Sequence, residues 1–544
     1  MKRYIQIILL CIAAFFVNNG ALQTDIMESR NIVTAREMVS DGNWLIPTMN
    51  GELRLEKPPL PTWVAGLIEK IAPDNIKAQR SAAGIMGIIW VFFFYLAAKE
   101  IFRKEDYAFI ATLVFLTCYN IILMGRTATW DIYCHAFMMG AVFFLWKGLY
   151  DDHYRKKSKP WRNFTLAGIL MGLSFLSKGP VSFYALLLPF IIAVLVYRRP
   201  VMYGKWKAFT FMIIMCVVIS AWWYLYIITF HPEVANAVIE KESGSWINHN
   251  VRPWWYYWRF FAETGVWALL TATTLFIPYW KKVITDRHEY LFTMWWMLAA
   301  LFLLSLMPEK KMRYLLPMTV PCSYAVAFLI YHFYQKYRLD KTSKLIYYIN
   351  AGMVSLVATA LPFLIFIFGY KQNRISLTAA IISGILIIMI AVWLWITTVH
   401  LRTIEFVWGI VALFVVGECF LFNMISASFT NPEFSSIRGI REVKELKDVP
   451  LYYNKLKGPI RMELVYEAHR KILPLNLESK EDVLKALPCA VVTMEPMKKE
   501  LPKEILNMVD TTMIGIYDDN RHPKGTQHYH EEFLNQVTLL KLKK

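Results

Sequence analysis

Paired cysteines, glycine-rich phosphate loops and internal repeats are all missing from this chain, and each absence narrows its function. The seven cysteines, at 11, 118, 134, 216, 322, 419 and 489, include no CxxC pair, and six lie within or beside apolar runs. Zinc ribbons and dithiol redox motifs are therefore unsupported. Beyond residue 430 only Cys489 occurs, so that segment forms no internal disulfide in any compartment. Charge is scarce as well: 18% of residues are charged and 56% hydrophobic, whereas soluble domains run to roughly 45–50% apolar. A string of soluble domains, which 544 residues would otherwise suggest, is excluded. No clear small-x-small cleavage site follows the basic start and apolar run MKRYIQIILLCIAAFFVNNGALQT. An uncleaved first helix is expected.

What the chain does have is apolar length. Mean hydropathy is +0.37, and runs of roughly 20 apolar residues, enough to cross a ~30 Å hydrocarbon core, recur along it. They predict thirteen membrane helices near 4–23, 81–98, 107–124, 131–149, 164–177, 181–197, 208–230, 260–280, 289–307, 314–334, 345–370, 376–399 and 404–427. The net charge of +18 sits mainly in short loops between these runs, as membrane orientation requires, so no nucleic-acid partner is expected. With Lys2 and Arg3 in the cytoplasm, loops on that side carry 23 Lys and Arg, and the short opposite loops carry 7. An odd helix number then exports the C-terminus. Residues 1–430 are expected to form the transmembrane domain, with long outer loops at 24–80 and 231–259. The second of these carries Trp254, Trp255, Tyr256, Tyr257 and Trp258, side chains suited to a membrane–water interface. Residues 431–544 read as a small α/β domain. REVKELK, EDVLKAL and KKELPKEILNMV read there as short amphipathic helices, and VPLYY, CAVVTM, MIGIYD and VTLLKLK as strands.

Several ionisable residues fall at predicted outer helix ends. Asp25 and Glu28 stand where the first helix leaves the membrane, and on a helix they share a face. They suit a general base with a cation or hydroxyl anchor, although spacing alone favours a solvated interfacial helix helped by Arg30 and Arg36. Glu56-Lys57-Pro58-Pro59 restricts the backbone of Lys57 and fixes the presentation of its ammonium, or caps a helix. Asp131 opens the fourth helix, with Arg126 five residues before it and His135 one turn after. Lys178 stands at the break between two helices. Lys310, Lys311 and Arg313 place three basic residues in one outer loop, against the orientation trend. Ionisable groups at membrane depth are expensive and point to function. Cations gathered on the outer side, beside carboxylates, suit an anionic phosphate held at the membrane surface.

The run ESRNIVTAREMVSDGNWLIPTMNGELRLEKPP resembles the first periplasmic loop of the bacterial aminoarabinose lipid A transferases. These belong to the dolichyl- and polyprenyl-phosphate-sugar glycosyltransferases of GT-C type. The likeness continues through Asp131, Lys178-Gly179, the W-Y-Y stretch and the K-x-R-Y-x-L-P loop, over roughly residues 1–330. It implies a polytopic α-helical protein of GT-C type in the bacterial inner membrane, with a periplasmic α/β C-terminal domain. It implies transfer of a sugar from a polyprenyl-phosphate donor to a lipid or glycan acceptor at the periplasmic face. Asp25, Asp131 and Glu28 would be catalytic. Lys57, Lys178, Arg313 and Tyr314 would hold the donor phosphate, with Glu56 and Arg30 in support. Two departures stand out. Met27 replaces the Asp that the family has before Glu28, and Ile239-Glu240-Lys241 replaces a V-E-H segment whose His can bind metal. A metal is therefore not assigned, although His249 leaves room for a divalent ion. The rival reading, a polytopic transporter or a flippase of a lipid-linked glycan, would call for mid-helix charges and two related halves.

Overall fold

The computed structural model describes residues 2–150, 159–236, 250–335, 338–373, 375–422, 431, 433–520, 522, 524–527 and 529–543. The chain divides into two compact units. One comprises Met1–Gly20, Leu55–Pro61 and Ile76–Met424, and the other Ala21–Arg54, Thr62–Asn75 and Ile425–Lys544. The stretch 24–80 thus contributes mainly to the same unit as the C-terminal segment.

The first unit is helical. Each expected span has a helical counterpart: α1 (Lys2–Phe16), α4 (Ile76–Phe102), α5 (Glu105–Leu116) with α6 (Tyr119–Met124), α7 (Trp130–Leu149), α8 (Pro160–Lys178), α9 (Leu188–Tyr197) and α10 (Trp206–Phe230). Later helices cover Arg287–Leu306, Thr319–Gln335, Lys341–Leu364, Leu377–Val399 and Thr403–Val416. Residues 423–427 of the last expected span lie outside the described residues. Among the described residues eight helices are long and apolar enough to cross a membrane. A ninth is added if the pair Trp254–Thr273 and Ile277–Val283, bent by 77°, counts as one span.

Two expected helices are broken, each for a local reason. The run 107–124 stops at Thr117, whose hydroxyl bonds back to Leu113 O (2.7 Å) while accepting from Trp267 Nε1 at 2.8 Å. The run 260–280 is interrupted at Gly265, where φ is 61° and ψ −116°, against Tyr119.

Burial separates interior helices from lipid-facing ones. The α7 span is 83% buried and Met312–Gln335 94%, whereas α10, Lys341–Tyr370 and Leu377–Val399 are each 22% buried. The two buried spans line the interior; the other three present Ile, Val and Leu outward. Helix α8 approaches α10 through Gly168 and Gly172. A Cβ at Gly168 would strike the Met212 carbonyl, and one at Gly172 would lie 2.6 Å from Ile219 Cβ. This small-xxx-small spacing lets helices close to backbone contact where no hydrophobic effect drives them together.

The second unit is α/β. Strands β3 (Leu451–Asn454), β4 (Ile472–Leu475), β5 (Cys489–Thr493), β6 (Val509–Asp518) and β7 (Leu534–Leu542) form one sheet in the order β4-β3-β5-β7-β6. The β3–β4 and β3–β5 pairs are parallel; β7 runs antiparallel to β5 and β6. Strand β5, CAVVT, is buried at every position, as a central strand requires. REVKELK is not an α-helix but falls in two short 3-10 turns, Ile437–Glu442 and Lys444–Leu446, broken at the extended Val443, and KKELPKEILNMV resolves into Met497–Glu500 and Lys503–Leu506, separated at Pro502.

The same unit takes in α2 (Ile26–Asp41), α3 (Leu60–Ile71) and a hairpin of β1 (Thr48–Met49) and β2 (Glu52–Leu53). The hairpin turns on Asn50-Gly51 with φ of 56° and 81°, the pair of positive angles a tight two-residue turn needs. Asn50 also bonds across to Ile472 of edge strand β4, through Nδ2 (2.7 Å) and Oδ1 (2.8 Å).

Candidate functional site

In the first unit, two helix ends meet around a buried ion pair. Asp131 occupies the first turn of α7, where unpaired N–H groups favour a carboxylate, and is 3% exposed. Lys178 is the last residue of α8, where free carbonyls favour a cation, and is 8% exposed. The helix stops there because Gly179 adopts φ 72° and ψ −149°, a region open essentially to glycine alone, and Pro180 follows. The Lys178 ammonium donates to Asp131 Oδ1.

Arg313 acts electrostatically on the same carboxylate, from the short helix Met312–Met318. Its Nε is buried with no hydrogen-bond partner among the described residues, and its guanidinium stands 5.9 Å from the Tyr314 ring. Tyr314 donates to Glu309 at 3.1 Å, and Lys311 pairs with the same carboxylate. The neighbouring lysines are spent on structure. Lys310 Nζ donates to the carbonyls of Arg252 (3.2 Å) and Met307, while Tyr257 holds both backbone groups of Lys311 at 3.1 Å. The aromatic run 254–258 therefore braces the 307–314 loop through Tyr257, with Trp254, Trp255 and Trp258 left exposed.

The remaining expected residues fall elsewhere. Glu56 and Lys57 form a half-buried bend in the first unit, just before α3. Asp25, Glu28 and Arg30 belong to the second unit. Asp25 is the N-cap of α2, its Oδ1 accepting from the backbone N–H of Met27 (2.9 Å) and Glu28 (2.8 Å). Glu28 is buried, and Arg30 Nε is buried without a hydrogen-bond partner among the described residues.

Arg126 is not part of the Asp131 cluster despite its nearness in sequence. It pairs with Glu418 and donates to the carbonyls of Ala13 (3.2 Å) and Ala14 (2.6 Å) at the end of α1. His135 packs against Trp90, ring centroids 5.6 Å apart, and its Nδ1 has no hydrogen-bond partner among the described residues. Glu309 and Glu418 were missed by sequence reasoning. Only the basic residues beside Glu309 broke a pattern, and Glu418 lies 292 positions from its partner.

Much of the first-loop motif is architectural. Arg36 bonds Asp74 (2.5 Å) and Tyr466 O (2.7 Å). Glu37 holds the hairpin turn through Thr48 Oγ1, Asn50 N and Gly51 N at 2.7, 2.6 and 3.1 Å. Trp44 packs on Gly66 and accepts from Trp63 Nε1 through its carbonyl at 2.6 Å. Among the described residues no three His, Cys, Asp or Glu side chains gather as a metal set. Glu240 and His249 lie outside the described residues.

Comparison with known proteins agrees with this architecture. The profile of the dolichyl-phosphate-mannose-protein mannosyltransferase family matches residues 56–224. An uncharacterized Aquifex aeolicus protein is 27% identical over 58% of this chain and 62% of its own length. An undecaprenyl phosphate-alpha-4-amino-4-deoxy-L-arabinose arabinosyl transferase from Pseudomonas fluorescens is 26% identical, over 54% of this chain and 51% of its own. A Proteus mirabilis protein of the same description is 25% identical, over 55% and 54% respectively. The chain thus spans between about half and three-fifths of these curated relatives. The crystal structure of ArnT from Cupriavidus metallidurans bound to undecaprenyl phosphate superposes with a TM-score of 0.69 at 15% identity, covering 98% of this chain and 97% of that one. The fold is that of this GT-C protein, and the resemblance read from the sequence holds.

Proposed function

We propose that the chain is a glycosyltransferase that moves a sugar from a polyprenyl-phosphate donor to a lipid A-like or other envelope acceptor. One observation carries this reading. The Asp131 cluster holds two cations, Lys178 and Arg313, against one carboxylate. Buried charge that is not balanced is costly, so the cluster is short of an anion that a donor phosphate supplies. The relatives named as undecaprenyl-phosphate aminoarabinose transferases point to the same donor class.

In this reading the phosphate competes with Asp131 for Lys178, while Arg313 offers a planar fork to two of its oxygens. Lys57 and Tyr314 complete the cradle, with Glu56 in support. As the sugar–phosphate bond breaks, charge develops on the leaving oxygens, and preorganised cations stabilise it. Asp131, released from Lys178, then accepts the proton of an acceptor hydroxyl; Asp25 and Glu28, with Arg30, are the alternative carboxylate set that the sequence resemblance offers for that role. A phosphate acceptor would need no base, and these carboxylates would then orient it. No step here depends on a metal. The thirteen-helix count, a cytoplasmic N-terminus, a periplasmic C-terminal domain from residue 431 and an inner-membrane location belong to the same proposal.

The deciding measurement is transfer from undecaprenyl-phosphate aminoarabinose to lipid A by the full chain in nanodiscs, read by mass spectrometry. Product from wild type, with a 10²–10⁴-fold loss in Asp131→Asn, is expected. Donor translocation without any sugar-bearing product would replace the enzyme with a flippase. Envelope lipids from a deletion strain would identify the natural sugar and acceptor by the modified species that disappears.

A further inference from the structure

Within the first unit, the helices Thr319–Gln335, Lys341–Leu364 and Thr403–Val416 and the segment 266–270 line a cavity of about 40 Å³. Trp267, Leu270, Phe333, Tyr347, Ala351 and Phe406 make its walls apolar. Whole soluble ligands need roughly 300–1,000 Å³, so the space admits one end of a larger molecule. Ile349, Met353 and Leu356, on the helix that forms one wall, are exposed and continue the apolar surface toward lipid.

Two polar atoms of the lining residues lack a partner. Asn350 Nδ2 donates to Ile346 O at 2.8 Å, while its Oδ1 is buried with no hydrogen-bond partner among the described residues. Thr403 Oγ1 is in the same state. Buried polar atoms are ordinarily hydrogen-bonded, so a polar group entering from outside the chain would complete them. Cations frame the mouth. Lys344 precedes Tyr347 and Ala351 on one stripe of their helix, about 9 Å of rise from Asn350. Arg402 adjoins Thr403. Tyr279 Oη, on the Ile277–Val283 helix, donates to Asp340 Oδ2 at 2.6 Å and lies 2.7 Å from Ser343 Oγ. That contact brings Lys281 and Lys282 to the same corner as Lys341 and Lys344. The side chains of these lysines and of Arg402 are exposed, with no hydrogen-bond or ion-pair partner among the described residues. The carboxylates near them are Asp340, which also accepts from Ser343 N at 3.2 Å, and the exposed Glu405.

We propose that this pocket binds the glycerol ester end of an anionic phospholipid, with Lys344 and Arg402 holding its phosphate. Basic pockets between membrane helices recognise anionic head groups. Thr403 Oγ1 donates to an ester carbonyl, and a bridging water, for which the cavity leaves room, donates to Asn350 Oδ1. The acyl chains run outside the cavity along Ile349, Met353 and Leu356. The site contains none of the residues assigned to donor transfer, so it stands or falls independently of that reading.

The test is native mass spectrometry of the full chain in detergent with added phosphatidylglycerol or phosphatidylcholine. Phosphatidylglycerol should bind on the order of tenfold tighter. Lys344→Gln with Arg402→Gln should weaken it roughly 30-fold, about fivefold for each basic residue removed, and Lys371→Gln should leave it unchanged. Ala351→Leu fills the cavity and should weaken it too. Where Ala351→Leu fails to fold, the double variant, altered only at exposed side chains, still reports. Equal affinity for the two lipids, or unchanged phosphatidylglycerol binding in either folded variant, would overturn the site. Undecaprenyl phosphate added as competitor should leave phosphatidylglycerol bound. Displacement that disappears in the double variant would give the pocket to the polyprenyl carrier and overturn the phospholipid. Sugar transfer measured on the same variants keeps the two readings apart, because transfer depends on Asp131 and not on this rim.

Discussion

Asp25 carries two candidate roles at once, and the choice of substitution separates them. As the N-cap of α2 it satisfies two backbone donors. Asparagine caps about as well as aspartate, whereas alanine costs on the order of 1 kcal/mol. Asp25→Asn should therefore leave the folded yield unchanged and abolish transfer if the charge is catalytic; full activity would reduce Asp25 to a cap. Among the cations, Arg313→Lys keeps the charge but loses the planar fork, so donor saturation curves should shift in KM or kcat, as for Lys57→Ala. Lys371→Ala, at an exposed position, should overlay wild type. The reverse pattern would move the phosphate site.

The second unit carries a pH dependence of its own. Burial pushes the Asp519 carboxyl up to about 6, against the pull of Arg461 and with Glu467 and Glu463 adding to the rise. A carboxyl raised in the folded state contributes stability below its unfolded value of 3.8, and that contribution is lost as pH rises through about 6. Hydrogen exchange in β6 and β7 should accordingly show the unit loosening from pH 4 to 7, with Asp519→Asn flattening the trend.

At the scale of elements, the α8–α10 contact is the most exacting. Gly172→Val should lower the amount of folded protein recovered in detergent, because Ile219 stands 2.6 Å from the new Cβ. Gly352→Ala, with open space around its Cβ, should not. A fluorescence-detected sizing column distinguishes these outcomes. The spans were legible because about twenty apolar residues are needed per crossing, and the chain supplies them in sequence. The breaks at Thr117 and Gly265 were not, since each depends on a partner from a distant helix. Strand β4 escaped notice because it is four residues long and contains Pro474, which suits only an edge strand. The same holds at the site. Asp131 and Lys178 were found singly, as charges at helix ends, but their pairing and the separate use of Arg126 are properties of packing.

On the scale of the whole molecule, orientation is the open quantity, and the loop bias of 23 against 7 basic residues predicts it. A reporter fused after Lys544 should be active only outside the cytoplasm; cytoplasmic activity would force an even number of crossings.

The Arg126–Glu418 pair also sets an order of events during synthesis. Arg126 grips the end of α1, and Asn18 just beyond it donates to Glu418 O at 2.7 Å across 400 positions. Arg126 and Glu418 are 292 positions apart, so at roughly 5–20 residues per second the carboxylate leaves the ribosome about 15–60 s after Arg126. For that interval a guanidinium destined for the interior has no carboxylate. The C-terminal end of α1 is thus fully tied down only once the helix carrying Glu418 has been made.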